Sequence, residues 1–124
     1  MRYLDLGMEV VLDRDQVFYV AETPPLGMGV CYVVSGKIEL LRRFADGQVL
    51  RLETGPDGLF GLSETLENQP RQFTARALEP STLYVWDTEM FERAISLYIE
   101  LAAKAVQELS SQLRVVNEHL RRLE

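Results

Sequence analysis

The chain has 124 residues, of which 47% are hydrophobic and 26% charged, and its formal net charge is −6. This length predicts one domain with a single core, and the negative charge argues against nucleic-acid binding by this chain itself, because such binding relies on Lys and Arg contacts to phosphates. A single cysteine, Cys31, excludes an internal disulfide, and no apolar stretch is long enough to span a membrane. We therefore expect a cytoplasmic protein without a signal peptide.

The first two thirds of the chain predict seven or eight short strands separated by turn signals. These strands are predicted at residues 9–12, 17–20, 30–34, 38–40, 48–53, 72–78 and 82–86, where β-branched and aromatic residues cluster. Asp46-Gly47 is the strongest hairpin signal and indicates a two-residue type I′ turn. A short helix is expected over residues 63–68. This spacing is typical of a small antiparallel barrel or jelly roll.

From Thr88, a plausible N-cap, the chain predicts a short helix to about Ile95 and then a longer one. Apolar residues recur along the longer helix at alternating spacings of four and three. The a positions are Val106, Leu113 and Leu120, and the d positions are Leu109, Val116 and Leu123. A helix packed only on its own domain has a wider apolar stripe, so this seam favours a coiled coil with the same helix of a second copy. The alternative is that this face packs on the chain's own barrel.

The order of several motifs resembles the effector domain of CRP/FNR-type regulators, which have the cyclic-nucleotide-binding-domain fold. The segments that carry the resemblance are residues 31–40, Asp46-Gly47, Leu59-Phe60-Gly61 and residues 70–77. The long C-terminal helix also resembles the family's dimerisation helix. The resemblance implies a mainly β fold with α-helices, a double-stranded β-helix (jelly-roll) barrel followed by that helix. We therefore expect a sensor domain over residues 1–95 and a dimerisation helix over residues 96–124.

The resemblance also implies a phosphate-binding cassette between two strands. Gly61 would let the backbone approach a ligand closely, and the free N–H groups of the helix that follows would favour an anion. Arg71 would close over a phosphate with a bidentate, charge-assisted bond. The expected ligand is a cyclic nucleotide or another small anionic effector, bound by Gly61, Leu62, Ser63, Glu64, Arg71, Gln72 and Asn117. The alternative for Arg71 is a structural ion pair with Glu64 or Glu67.

Three positions depart from the pattern of the family's cyclic-nucleotide binders. The binders carry Glu directly after Phe-Gly, where this chain has Leu62, which cannot accept a hydrogen bond. They carry Ser, Thr or Ala after the arginine, where this chain has Gln72, and Val116 stands where their long helix offers a hydroxyl to adenine. Losing a buried acceptor for a ligand hydroxyl costs a few kcal/mol, so we expect altered or lost specificity for cyclic nucleotides.

Other functions find little support in the sequence. The single histidine, His119, cannot supply the several ligands of a cupin metal site or a catalytic triad, and one cysteine cannot hold an iron–sulfur cluster. The chain ends at Glu124, where the family normally continues into a helix-turn-helix. We therefore predict the ligand-sensing, homodimeric domain of a CRP/FNR-type transcriptional regulator, without its own DNA-binding domain, and not an enzyme. The alternative is a degenerate module of the same fold that serves only protein association.

Overall fold

The computed structural model describes residues 7–24, 28–66 and 69–122. Within these ranges the chain forms eight strands and three helices. The strands are β1 (Met8–Leu12), β2 (Val17–Tyr19), β3 (Met28–Ser35), β4 (Ile38–Arg43), β5 (Val49–Thr54), β6 (Leu59–Phe60), β7 (Thr74–Ala77) and β8 (Ser81–Asp87). The helices are α1 (Leu62–Leu66), α2 (Thr88–Leu97) and α3 (Ile99–Arg122). The predicted class, mainly β with α-helices, is confirmed.

The strands form two four-stranded antiparallel sheets that enclose the main core. The first sheet has the order β1-β8-β3-β6 and the second has the order β2-β7-β4-β5. Side chains from both sheets meet between them in one apolar cluster, which includes Cys31, Val33, Ile38, Leu40, Phe60 and Val85. The sheets do not join into the closed barrel that we expected. Among the described residues, the first sheet ends at β1 and β6 and the second at β2 and β5, and no strand pairing joins one sheet to the other.

The continuous apolar run in β3 follows from burial on both faces of the first sheet. Successive side chains of a strand point to opposite faces. Cys31 and Val33 pack between the sheets, whereas Val30 and Tyr32 pack on the outer face against α2 and α3. Trp86 of β8 joins this outer cluster and lies 5.7 Å from Phe91 of α2, measured between ring centroids. A sheet covered on both faces requires such uninterrupted apolar strands.

The outer face of the second sheet carries charged residues instead. Glu39 of β4 is buried there between two arginines, with its carboxylate 2.6 Å from Arg51 and 3.4 Å from Arg76. Arg51 also pairs with Glu53 on the same strand. Both arginines are partly exposed, so this face is a solvated ladder of ion pairs across β5, β4 and β7.

Two local predictions need correction. The hairpin at Asp46-Gly47 is present, but Gly47 has a positive φ of 90° and Asp46 does not, so the turn is not type I′. The N–H of Phe44 donates to Gln48 at 2.9 Å and closes a longer loop. The N-cap of α2 is Asp87 rather than Thr88, because the Asp87 carboxylate accepts the Met90 N–H at 2.7 Å. Over the residues that the structure describes, none of the helices combines the length and the hydrophobicity of a membrane span.

Candidate functional site

The turn between β6 and α1 depends on Gly61. Its φ of 77° lies in the left-handed region that favours glycine. A Cβ atom at this position would collide with the carbonyl oxygen of Gly29 and would lie 2.9 Å from Nη1 of Arg71. The sequence predicted that Gly61 lets the backbone approach a ligand closely. In the structure the groups beside it are the β3 backbone at Gly29 and the guanidinium group of Arg71.

The guanidinium of Arg71 is buried inside the fold, with only 3% of the side chain exposed. Its Nη1 donates to Oγ1 of Thr65 at 3.2 Å and to the carbonyl of Gly29 at 3.3 Å, and it lies 3.7 Å from the carboxylate of Glu64. The Cζ atom lies 4.1 Å from the ring centroid of Tyr19, within cation–π range. The structure therefore shows the ion pair between Arg71 and Glu64 that the sequence left as an alternative.

The backbone around Arg71 is also held in place. The N–H of Arg71 donates to the carbonyl of Thr23 at 2.8 Å, and the carbonyl of Arg71 accepts the N–H of Glu22 at 2.8 Å. These two bonds join the segment before β7 to the segment after β2. The guanidinium is thus presented from a fixed stretch of chain rather than from a free loop.

The remaining cassette residues do not all face Arg71. Leu62 is fully buried, but it packs in the outer cluster with Trp86 and Phe91 rather than among the polar groups beside Arg71. Gln72 is exposed and lines a small surface cleft of about 160 Å³ next to Arg42. The side chains of Ser63 and Asn117, and all of Glu67, lie outside the described residues. The structure therefore brings together Gly61, Glu64 and Arg71 and leaves Gln72 apart.

Burial raises the pKa of two neutral groups near the Arg71 guanidinium, the Tyr19 hydroxyl and the Cys31 thiol. Desolvation raises the pKa of the Tyr19 hydroxyl well above its usual value. Burial also raises the pKa of the Cys31 thiol, although Arg71 acts in the opposite direction. Both groups therefore stay protonated at neutral pH.

A cleft of about 420 Å³ lies between the second sheet and α3, at a place that no sequence pattern indicated. Leu40, Leu52 and Thr54 line it from the sheet, and Glu108 and Ser111 line it from α3. Burial raises the pKa of the Glu108 carboxyl, while Lys104 and the N–H of Leu59 act against that shift.

Asp57 connects the loop between β5 and β6 to both β3 and α3. Its carboxylate accepts the hydroxyl of Tyr32 at 2.6 Å and the ammonium of Lys104 at 2.7 Å, and Lys104 also donates to the Asp57 carbonyl at 3.0 Å. Hydrogen bonds from Lys104 and Tyr32 lower the pKa of the Asp57 carboxyl. The sequence indicated only a chain break here, since a contact across 47 residues leaves no local pattern.

The α3 helix presents the predicted heptad seam only in part. Leu109 is half-buried against the chain's own outer cluster, whereas Val106 is 63% exposed. Ile99, which the sequence analysis did not single out, is 82% exposed and stands seven residues before Val106. The side chains of Leu113, Val116 and Leu120, and all of Leu123, lie outside the described residues.

The part of the chain that the structure describes contains no candidate metal site. No group of three or more His, Cys, Asp or Glu side chains converges there. The His119 side chain is not among the described ones.

Comparison with known proteins defines the class. A family model described as the cyclic nucleotide-binding domain matches residues 9–98, and the chain belongs to that family. The catabolite activator protein of Thermus thermophilus superposes with a TM-score of 0.81 at 25% identity, covering 98% of this chain and 57% of that protein. The chain thus spans a little over half the length of that relative.

Two further crystal structures share the fold. A transcriptional regulator of Thermotoga maritima has a TM-score of 0.76 at 19% identity, covering 98% of this chain and 95% of that one. The heme domain of CooA from Carboxydothermus hydrogenoformans has a TM-score of 0.78 at 15% identity, covering 98% and 83% respectively. The resemblance to the effector domains of CRP/FNR-type regulators is thereby confirmed. A search of curated protein sequences found no match to this chain.

Proposed function

We propose that this chain is the effector-sensing and dimerisation domain of a CRP/FNR-type transcriptional regulator, with altered or lost specificity for cyclic nucleotides. It acts by binding rather than by catalysis. The observation that carries the proposal is the position of Arg71, a buried cation beside Gly61 in a fold that belongs to the cyclic nucleotide-binding family. An arginine is always charged and binds phosphate or carboxylate groups through a planar set of donors.

Three features support an altered specificity. Leu62, where a cyclic-nucleotide binder has a hydrogen-bond acceptor, is buried among apolar side chains. Gln72 is exposed at a separate surface cleft. The Glu64 carboxylate lies 3.7 Å from Nη1 of Arg71, so a phosphate at this guanidinium meets a like charge. A cyclic nucleotide therefore loses one partner and gains a repulsive one.

The contacts of α1 provide a route from the cassette to the long helix. Oγ1 of Thr65 accepts from Arg71, and the Thr65 carbonyl accepts the Thr88 hydroxyl at 3.1 Å, at the start of α2. Leu62 packs in the same cluster as Phe91 of α2 and Leu101 of α3. A ligand that shifts Arg71 therefore acts on α1, and α1 acts on both later helices.

Exposed apolar residues of α3 support dimerisation with a second copy. Ile99 and Val106 are seven residues apart, so they lie on one face of the helix. The helix of this proposed contact is α3, which begins at Ile99. The domain division between residues 95 and 96 stays a prediction. In this proposal the helix serves as the dimer contact and the two sheets serve as the sensor.

The test of effector specificity is thermal unfolding with and without millimolar cAMP, cGMP and other nucleotides. A ligand at one hundred times its Kd stabilises the folded state by about 2.7 kcal/mol, which raises the Tm by several degrees. We expect no shift with cAMP or cGMP. A shift of several degrees with either, lost in Arg71→Gln and kept in the control Arg76→Gln, would show that the cyclic-nucleotide specificity is intact.

The test of dimerisation is sedimentation equilibrium. We expect a dimer for the unmodified chain and a monomer for Val106→Glu, because a charge at an a position is buried unpaired in the seam. Gln107→Glu adds the same charge at an exposed position outside the seam and should remain a dimer. A monomeric unmodified chain would remove the dimerisation part of the proposal.

The second candidate, an association module that binds no effector, is favoured by the Glu64 carboxylate beside Arg71. It predicts the same dimer, with no change in Tm for any small anion or nucleotide. A ligand screen that includes non-nucleotide anions therefore separates the two functions.

A further inference from the structure

In the interior of the fold the carboxylate of Glu64 pairs with Arg71, the residue that the resemblance assigns to a ligand phosphate. The side chains are 5% and 3% exposed, and their charged atoms lie 3.7 Å apart. Nη1 of Arg71 also lies against Gly61, the residue of the turn that leads into α1. The carboxylate and the cassette turn therefore meet at the same nitrogen of the guanidinium.

The distances indicate that Glu64 supplies charge rather than a hydrogen bond to this nitrogen. A charge-assisted bond between a cation and a carboxylate is about 2.7–2.9 Å long, well short of the observed separation. The two closer partners of Nη1, Thr65 and the Gly29 carbonyl, are neutral acceptors. Neutralising Glu64 would leave these two bonds in place but remove a negative charge from beside a buried cation.

We propose that Glu64 is an internal counter-anion that takes the position of a ligand phosphate on Arg71, and that it thereby determines which effectors the cassette admits. A buried ion left without its partner is strongly destabilising, so the two charges hold each other in the interior. An anionic effector that binds Arg71 at Nη1 competes with the Glu64 carboxylate for the guanidinium. The role in effector choice rests on the proposed function, in which this cassette is the effector site.

The test is rescue of a carboxylate deletion by small anions. Glu64→Ala removes the charge and leaves space for formate or acetate, whereas Glu64→Gln removes the charge and fills the space. We expect Glu64→Ala to melt lower than the unmodified protein in chloride and to regain several degrees in formate at constant ionic strength. Glu64→Gln should melt lower and regain little. If Glu64→Ala does not fold in chloride, recovery of its circular dichroism on adding formate is the readout.

Two controls separate an anion site from a general salt effect. Glu39→Ala deletes another buried carboxylate paired with arginines, but those arginines are partly exposed and water can solvate them, so formate should not rescue it. Combining Glu64→Ala with Arg71→Gln should abolish the rescue. The proposal is overturned if formate stabilises Glu64→Ala no more than Glu39→Ala, or if the rescue persists without Arg71.

Repeating the experiment with cAMP in place of formate separates this inference from the proposed function. Formate rescue of Glu64→Ala with no response to any nucleotide supports the internal counter-anion and argues against a nucleotide effector. A cAMP response in the unmodified protein without formate rescue of Glu64→Ala refutes the counter-anion and leaves the sensor function standing.

Discussion

The two sheets share an antiparallel architecture and one core, yet their outer faces are built from opposite chemistry. On the first sheet, Tyr32 and Trp86 are buried beneath α2 and α3. On the second, Glu39, Arg51 and Arg76 form ion pairs that water reaches. The difference shows that the residues on the outer face of a strand depend on what covers that face, which is a helix on the first sheet and solvent on the second. A face covered by helices is stabilised by the apolar area that it removes from water. A solvent-exposed face carries pairs of opposite charges, which contribute little net stability.

The largest expected effect comes from the covered face. Trp86→Ala should lower the free energy of unfolding by about 3–5 kcal/mol, because it leaves a cavity between β8 and α2. Urea denaturation followed by circular dichroism measures the loss. Trp86→Phe keeps an apolar ring in place and should cost clearly less. A loss below about 1 kcal/mol for Trp86→Ala would mean that the helices contribute little to the first sheet.

A smaller effect is expected on the open face. Glu39→Ala should cost on the order of 1 kcal/mol, discounted because both partner arginines are partly exposed and rehydrate. The loss should shrink as salt is added, since screening weakens such pairs. Glu53→Ala, at a more exposed carboxylate of the same ladder, should cost less still. If Glu39→Ala instead lowered the free energy of unfolding by a large amount that did not depend on salt, the two outer faces would not differ in the way described.

The smallest effect is expected where the loop between the sheets meets α3. Because the pKa of the Asp57 carboxyl is lowered in the folded state, its contribution to stability is complete above the ordinary Asp range and is lost as the pH falls through the lowered value. Asp57→Asn should therefore be slightly less stable than the unmodified protein at neutral pH, and the difference should vanish in acid. Asp46→Asn controls for the change in net charge. A difference that grows toward acid would contradict this assignment.

Local chemistry made most of the strands predictable. The apolar run of β3 and the glycine-marked turns indicated the strand spacing of a small antiparallel barrel or jelly roll, and those strands are present. The turn type at Gly47 and the N-cap of α2 were predicted wrongly, because neighbouring residues compete for such roles within a fraction of a kcal/mol. Sheet closure was also predicted wrongly, because it depends on pairing between strands that are distant in the chain, which leaves no local pattern.

The residues of the candidate site were predictable only where the resemblance to CRP/FNR-type regulators assigned a role to a particular position. Gly61 and Arg71 were identified that way, and Glu64 was one of two possible ion-pair partners. The direction of Leu62 was not predictable, because α1 has five residues and shows no periodicity that distinguishes its faces. The bridge from Asp57 to Lys104 was missed for another reason, namely that only the packed fold brings a loop and a distant helix together.

The charged edge strand of the second sheet also bears on how copies of this protein meet. In the described part of the chain, β5 is the last strand of its sheet and carries Arg51 and Glu53. Charges on an edge strand oppose the pairing of one sheet with another, which is a common route to aggregation. Edge-to-edge pairing through β5 is therefore disfavoured. In the dimer that we propose, the contact is instead the apolar face of α3, where a pair of helices closes on itself and cannot grow into a fibre.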